Sequence, residues 1–159
     1  EYSLPAENGV VKYEDVVQVP DASANDMYVQ ALQWFAENFR DSKSVIEVKD
    51  KEEKLIAGKG YISTRYGLYG ENGVRFYIKV QFRDGRYKYT ITDFTHEDFD
   101  PTKYPDAAGS LNQEKPSIGF MGMAKKDWEK IKNITAERTE NLIASLEASM
   151  QNIDKGESW

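Results

Sequence analysis

Cationic side chains concentrate on one face of a predicted β-hairpin. Residues 74–94 alternate apolar and polar positions on both sides of Asp84-Gly85, a pair typical of a two-residue turn between antiparallel strands. Such a turn places residue 83 opposite residue 86, so the polar positions of both strands share one face. That face carries five cations, one tyrosine and no carboxylate: Arg75, Tyr77, Lys79, Arg83, Arg86 and Lys88. We predict that these residues bind an anionic ligand.

Like charges meet at the tip of this hairpin. Arg83 lies opposite Arg86, and like charges in a facing pair destabilise a sheet. A bound anion would relieve the repulsion, and so would a carboxylate from a neighbouring strand, such as Glu47 or Glu52. The alternative is a solvated sheet face that its neighbours neutralise, because exposed sheet faces commonly carry Lys and Arg.

The chain as a whole has the opposite sign. Its 159 residues carry a formal charge of −6, yet residues 54–92 contain eight Lys and Arg against Glu71 and Asp84. Segregated charge attracts anions locally even when the total is negative. Because the negative total repels DNA, we predict that nucleic acid is not a partner. The expected partner is an anionic glycan, a lipid head group or an acidic protein.

A second group of reactive side chains opens a long loop that the sequence predicts for residues 96–123. It joins His96, the single histidine, to the carboxylates that follow it: Glu97, Asp98, Asp100 and Asp106. These groups could supply general acid-base chemistry or bind a hard cation. The alternative function is therefore a carbohydrate-active or cation-dependent enzyme that uses residues 96–106. The spacing matches no calcium loop and the chain has no cysteine, so we predict no metal and no cofactor.

Hydrophobic periodicity predicts the elements that position these side chains. Strands are predicted at residues 10–19, 45–49, 55–64 and on both sides of the hairpin turn. Ser23 and Asp26 form a capping box, and a broad apolar stripe follows it: Tyr28, Ala31, Leu32, Trp34, Phe35 and Phe39. Residues 124–153 are helical in pattern, but the polar stretch 135–141 leaves open whether they form one helix or two.

The element order β-α-β-β-β-β-α predicts an α+β fold with one antiparallel five-stranded sheet and two helices on one face. We predict a single domain over residues 1–159, with an ordered core at about residues 4–153. Gly58 and Gly60 share a face of their strand, and the missing side chains would let a large ring such as Trp34 approach. No apolar run reaches the roughly 18 residues of a membrane-spanning helix.

Several segments resemble a bacterial family of unassigned function with a TATA-binding-protein-like fold. The segments are residues 28–35 with Trp34-Phe35, Ile56-Ala57-Gly58-Lys59-Gly60, Phe76-Tyr77-Ile78-Lys79-Val80, and the helix with Trp128 and Ile131. The resemblance implies an exported protein, periplasmic or associated with the outer membrane, and a start at Glu1 agrees with removal of a leader. It implies no activity, so no functional residue is carried over. The sequence thus predicts a noncatalytic exported binding module.

Overall fold

The computed structural model describes residues 1–64, 72–97, 108–117 and 124–153. Two α-helices and a mainly antiparallel set of strands make an α+β architecture. The strands are β1 (Ala6–Glu7), β2 (Val10–Val11), β3 (Tyr13–Gln18), β4 (Val45–Asp50), β5 (Leu55–Ser63), β6 (Gly73–Arg83), β7 (Arg86–Glu97) and β8 (Gly109–Ser110). The helices are α1 (Ala24–Asn38) and α2 (Lys125–Gln151). The predicted fold class is therefore confirmed.

The main sheet has six strands where the sequence predicted five. Five strands follow the order β3-β7-β6-β5-β4, and β8 pairs with β7 through Thr95 and His96. The additional strand lies inside the predicted loop of residues 96–123. Two residues are too few to show a hydrophobic period, so the sequence carried no signal for β8. β1 and β2 form a separate two-stranded sheet.

The described residues fall into two compact units. The first takes its residues from 1–12, 61–77 and 92–140, and the second from 13–60, 78–91 and 141–159. The single-domain organisation stays a prediction.

In the second unit, α1 begins as the capping box predicts. The Asp26 N–H donates to Oγ of Ser23 (3.0 Å), which satisfies an amide that the helix itself leaves unpaired. Met27, Tyr28, Ala31, Trp34 and Phe35 are buried. This face packs on the sheet and on the C-terminal part of α2: the Tyr28 ring meets Phe82 edge-on, and Nε1 of Trp34 donates to Oγ of Ser145 (3.0 Å).

Gly58 has a different neighbour from the expected one. A side chain at this position would meet the backbone of β4, because an added Cβ would lie 2.6 Å from the carbonyl oxygen of Val45. The nearest atoms to this position are therefore backbone atoms of β4 rather than a ring such as Trp34. The close approach is between two adjacent strands, and β4 and β5 pair there with a bulge between Ile46 and Val48.

β3 pairs with β7 along its whole length, from Tyr13 opposite Ile91 to Gln18 opposite Arg86. β3 ends the strand order on one side of the sheet, as β4 does on the other. Along β3, Oδ1 of Asp15 accepts a hydrogen bond from the neighbouring Val16 N–H (2.8 Å). A side chain thereby satisfies a backbone donor of this outer strand.

β7 contributes residues to both units, and the side of its buried positions changes along the strand. Tyr87, Tyr89 and Ile91 are buried, and after Asp93, which has a φ of 58°, the buried positions continue at Phe94 and His96. When one extra residue is inserted into a strand, the side chains that follow it move to the opposite face of the sheet. The Phe94 ring contacts Phe76, and Trp128 of α2 meets the His96 ring edge-on.

α2 is one continuous helix, which settles what the sequence left open. Its polar stretch includes Thr135 and Thr139, both buried. Their hydroxyls donate to the carbonyl oxygens of Ile131 and Thr135, four residues earlier (2.8 and 2.7 Å). Threonine can therefore occupy an interior helix face without an unpaired hydroxyl.

Candidate functional site

Three of the predicted site residues line one concavity in the second unit. Arg83, Arg86 and Lys88 surround a space of about 340 Å³, and the remaining lining residues are Val16, Gln81 and Tyr87. Arg83 and Arg86 flank the hairpin turn, and Lys88 pairs with Val16 of β3. We call the space lined by these three cations the cationic concavity. It lies at the tip of the hairpin and beside the outer strand β3.

The start of α1 holds the hairpin turn in place. The Gly85 N–H donates to the carbonyl oxygen of Ala22 (2.7 Å), and the Val19 N–H donates to that of Gly85 (2.8 Å). The Ala24 N–H donates to Oδ1 of Asp84 (2.8 Å). Gly85 has a φ of 81° and Asp84 does not have a positive φ, so the turn is not the mirror-image type with two such residues. These bonds fix the backbone that carries Arg83 and Arg86.

One carboxylate partly neutralises the positive charge of the cationic concavity. Oε2 of Glu14 on β3 lies 3.8 Å from Nζ of Lys88 and accepts a hydrogen bond from Oγ1 of Thr90 (2.9 Å). The sequence had suggested Glu47 or Glu52 for this role, but Glu47 instead pairs with Lys59 (3.7 Å). Within the described residues, neither Arg83 nor Arg86 forms an ion pair. The three cations together with Glu14 carry a charge of +2.

The other three predicted site residues do not line the cationic concavity. Lys79 is half-buried on β6. Arg75 and Tyr77 belong to the first unit, where Nη2 of Arg75 lies 2.8 Å from Oε1 of Glu97. The guanidinium of Arg75 also lies 6.0 Å from the Tyr61 ring centroid. Arg75 therefore has an internal carboxylate partner, which its position on the predicted polar face did not reveal.

His96 is a core side chain. It is completely buried on β7, and its Nε2 lies 3.1 Å from Oδ1 of Asn72, which also accepts a hydrogen bond from Oγ1 of Thr64 (2.7 Å). The predicted loop therefore does not include His96 or Glu97, because both belong to β7. The remaining acids of the alternative enzyme site, Asp98, Asp100 and Asp106, lie outside the described residues.

A larger concavity, of about 760 Å³, lies in the first unit, and no pattern in the sequence indicated it. Its walls come from residues 1–11, from Leu111 and Asn112, and from residues 129–134 of α2. The Tyr2 N–H donates to Oδ1 of Asn133 (2.7 Å) and the Val11 N–H donates to Oδ1 of Asn112 (2.8 Å). Its charged residues are of both signs, Glu1 and Glu129 with Lys130 and Lys132. This mixture favours no single class of ligand.

The described part of the chain has neither a metal-binding cluster nor a membrane-spanning helix. No three or more His, Asp or Glu side chains there form a group that could hold a metal ion. No helix there is long and apolar enough to span a membrane.

Comparison with known proteins places the chain in a family. A crystal structure of a TBP-like protein from Parabacteroides distasonis ATCC 8503 is 16% identical, with a TM-score of 0.69, over 95% of this chain and 99% of that chain. A DUF4468 family protein from Bacteroides ovatus ATCC 8483 is 15% identical, with a TM-score of 0.66, over 98% of this chain and 94% of that one. At these identities the two structures establish the fold alone. No curated protein matches the chain significantly. The family model for a domain of unknown function with TBP-like fold matches residues 13–97, and the chain therefore belongs to this DUF4468 family.

Proposed function

We propose that this protein is a noncatalytic binding module that contacts an anionic ligand through the cationic concavity. One observation supports this proposal. Arg83 and Arg86 line the same concavity, and within the described residues neither has an ion-pair partner. Two like charges facing each other destabilise a sheet unless something compensates them. A bound anion would provide that compensation.

The chemistry of the lining residues supports binding over turnover. Guanidinium groups remain protonated in proteins and donate hydrogen bonds, so they hold anions but cannot accept a proton from a substrate. Besides Lys88, the other exposed lining residues, Val16 and Gln81, offer no acid or base. Glu14 is the nearby carboxylate, and it already contacts Lys88 and Thr90.

We further propose that the protein acts outside the cytoplasm, in the periplasm or at the outer membrane. The resemblance of the core segments to exported bacterial proteins supports this location. Anionic glycans, lipid head groups and other envelope proteins would be the available partners there. Fractionation of the source bacterium followed by immunoblotting tests the location, and recovery of the protein only in the cytoplasm would contradict it.

A titration of the protein with anions tests the binding function. The probes are heparin, phosphatidylglycerol vesicles and tripolyphosphate, each at low and high salt. We expect at least one probe to bind saturably and to bind more weakly at high salt, because salt screens exposed charges. The double variant Arg83→Glu/Lys88→Glu should lose this binding.

The control variant changes the charge equally at a different place. Lys49 and Lys51, both exposed, belong to β4 and the turn after it, and β4 is separated from β6 by β5. Lys49→Glu/Lys51→Glu should retain the binding of the original protein. Equal losses in the two double variants would show that net charge alone controls binding, and would contradict a site at the concavity. Binding of no probe by the folded protein would also contradict it.

A further inference from the structure

We infer that the cationic concavity selects the phosphate group of a phosphate monoester, an inference that rests on the proposed anion-binding function. Charge gives the first argument. The three cations and Glu14 together carry +2, and a phosphate monoester carries about −1.5 to −2 near neutral pH. A single monoester would therefore neutralise the cluster, whereas a phosphate diester or a single carboxylate, each with one charge, would leave it positive.

Size gives the second argument. The volume of about 340 Å³ is at the lower end of the roughly 300–1,000 Å³ of small-molecule sites. Such a space accommodates a phosphate group with a small organic substituent. Among the described lining residues, only Arg83, Arg86 and Lys88 supply charge, so they provide no continuous cationic track along which a long polyanion could lie.

The placement of the two arginines gives the third argument. They come from the last position of β6 and the first position of β7, on either side of the two-residue turn. A guanidinium group presents donors in a planar fork that matches two phosphate oxygens. One dianion between two such groups would replace their repulsion with charge-assisted hydrogen bonds. The bonds from Gly85 and Ala24 already hold the turn, so binding need not order the backbone.

Val16 favours a monoester over inorganic phosphate. This residue lines the same concavity, pairs with Lys88 across the strands, and keeps 46% of its surface exposed. An apolar substituent on the phosphate could cover it, and burial of apolar surface is favourable by about 25 cal/mol per Å². The concavity thus offers cations for the phosphate group and an apolar surface for its substituent.

Glu14 gives the inference a specific signature. Its carboxylate contacts Lys88 at 3.8 Å, so it competes with a bound anion for that cation. Glu14→Gln removes the competing charge, and the amide can still accept the hydrogen bond from Thr90. We expect this variant to bind phenyl phosphate roughly three- to tenfold more tightly, which corresponds to about 0.6–1.4 kcal/mol.

The matched control is Glu47→Gln. Glu47 forms a similar pair with Lys59, at 3.7 Å, elsewhere in the same unit. Removing it changes the net charge by the same amount and should leave the affinity for phenyl phosphate unchanged. If the affinity for phenyl phosphate rises by the same factor in both variants, net charge causes the effect, and the proposal that Glu14 competes with the bound anion is wrong.

The arginine geometry is tested by charge-conserving variants. Arg83→Lys and Arg86→Lys keep the charge but lose the fork of donors, so each should weaken phenyl phosphate binding by about tenfold or more. Unchanged affinity in both would overturn the geometric argument. Thermal unfolding of each variant, monitored by circular dichroism, verifies that it is folded.

Calorimetric titration of the original protein with four small anions identifies the group that is recognised. The probes are phenyl phosphate, inorganic phosphate, dimethyl phosphate and phthalate. We expect phenyl phosphate to bind most tightly. If phthalate, a dicarboxylate, binds as tightly, the phosphate assignment is wrong while the anion-binding function stands; if no anion binds here or in the earlier titration, both are wrong.

Vesicles distinguish a lipid source from a soluble one. Phosphatidic acid carries a phosphate monoester and phosphatidylglycerol carries a diester. If the physiological monoester is a head group, vesicles with phosphatidic acid should sediment the protein and those with phosphatidylglycerol should not. If phenyl phosphate binds but neither vesicle does, the monoester is a soluble one. Equal sedimentation by both vesicles would overturn selection of the monoester.

Discussion

Tyr87 is a buried phenol beside negative charge. Only 1% of its surface is exposed, and its hydroxyl has no hydrogen-bond partner within the described residues. Burial raises the pKa of Tyr87 strongly, and the neighbouring charges of Glu147, Tyr89 and Asp15 raise it further. Burial likewise raises the pKa of Tyr89, with Asp15 and Glu147 as the secondary causes. The folded protein therefore retains both phenolic protons at a pH at which the unfolded chain releases them.

These tyrosines predict a loss of stability at alkaline pH. Below the ordinary tyrosine pKa of about 10, both states are protonated and the full stability is present. Above it, the unfolded chain binds fewer protons than the folded protein, so the free energy of unfolding falls as the pH rises. Tyr87→Phe should reduce this fall and should stabilise the protein by about 1 kcal/mol at neutral pH, because it removes a buried hydroxyl without a partner.

Urea unfolding of the original protein and Tyr87→Phe, at neutral pH and at about pH 11, measures both effects. Tyr2→Phe is the control, since Tyr2 is 37% exposed. A loss of neutral-pH stability by more than 1 kcal/mol in Tyr87→Phe would mean that the hydroxyl has a stabilising partner after all.

At the scale of residues, local pattern predicted part of the candidate site. Alternation and the two-residue turn were enough to place Arg83, Arg86 and Lys88 on one face. Glu14 was missed because the pairing of β3 with β7 joins positions that are 68 to 78 residues apart in the chain. Arg75 was assigned to the open face because the alternation of residues before Asp93 does not indicate the shift that β7 makes there. In the structure, the Arg75 guanidinium contacts Glu97, which follows that shift.

At the scale of elements, the pairing of β4 with β5 depends on a missing side chain. An alanine Cβ at Gly58 would lie 2.6 Å from the Val45 carbonyl oxygen, which belongs to backbone and cannot rotate away. The two strands would have to separate there. We expect Gly58→Ala to lower the free energy of unfolding by about 1–3 kcal/mol, the usual cost of inserting a group into a packed region.

Chemical denaturation of Gly58→Ala and of Lys59→Ala checks this expectation. Lys59 is the next residue of β5 and its side chain is 46% exposed, so its loss should cost only about 0.5 kcal/mol. Equal stability of the two variants would show that β4 accommodates the methyl group, and that the close approach is not a constraint on the pairing.

The elements themselves were mostly predictable. The capping box at Ser23 and the apolar stripe located α1, and alternation located β5, β6 and β7. The continuity of α2 was open because Thr135 and Thr139 look polar in sequence, whereas their hydroxyls bond within the helix. His96 was assigned to a loop because Asp and Pro residues follow it closely, although the strand extends through Glu97.

At the scale of the whole molecule, chain continuity links the two compact units. β6, β7 and α2 each contribute residues to both units. If only one unit unfolded, each of these three elements would therefore have to be broken within its length. We expect a single cooperative unfolding transition, as small single domains usually show.

Two tryptophans allow each unit to be followed separately. Trp34 belongs to the second unit and Trp128 to the first. In the variants Trp128→Phe/Trp159→Phe and Trp34→Phe/Trp159→Phe, fluorescence reports on one of them at a time. Within each variant, the fluorescence and far-ultraviolet circular dichroism transitions in urea should coincide. Separate midpoints would show that the units unfold independently and that the single-domain prediction is wrong.

β3 and β4, the strands that end the five-strand order of the main sheet, are both irregular at their outer edges. β4 carries a bulge between Ile46 and Val48, and the Asp15 carboxylate occupies the Val16 N–H of β3. Irregular edges of this kind interrupt the row of free amides and carbonyls on which another strand could align. We therefore expect these two edges to resist growth into cross-β aggregates at high local concentration.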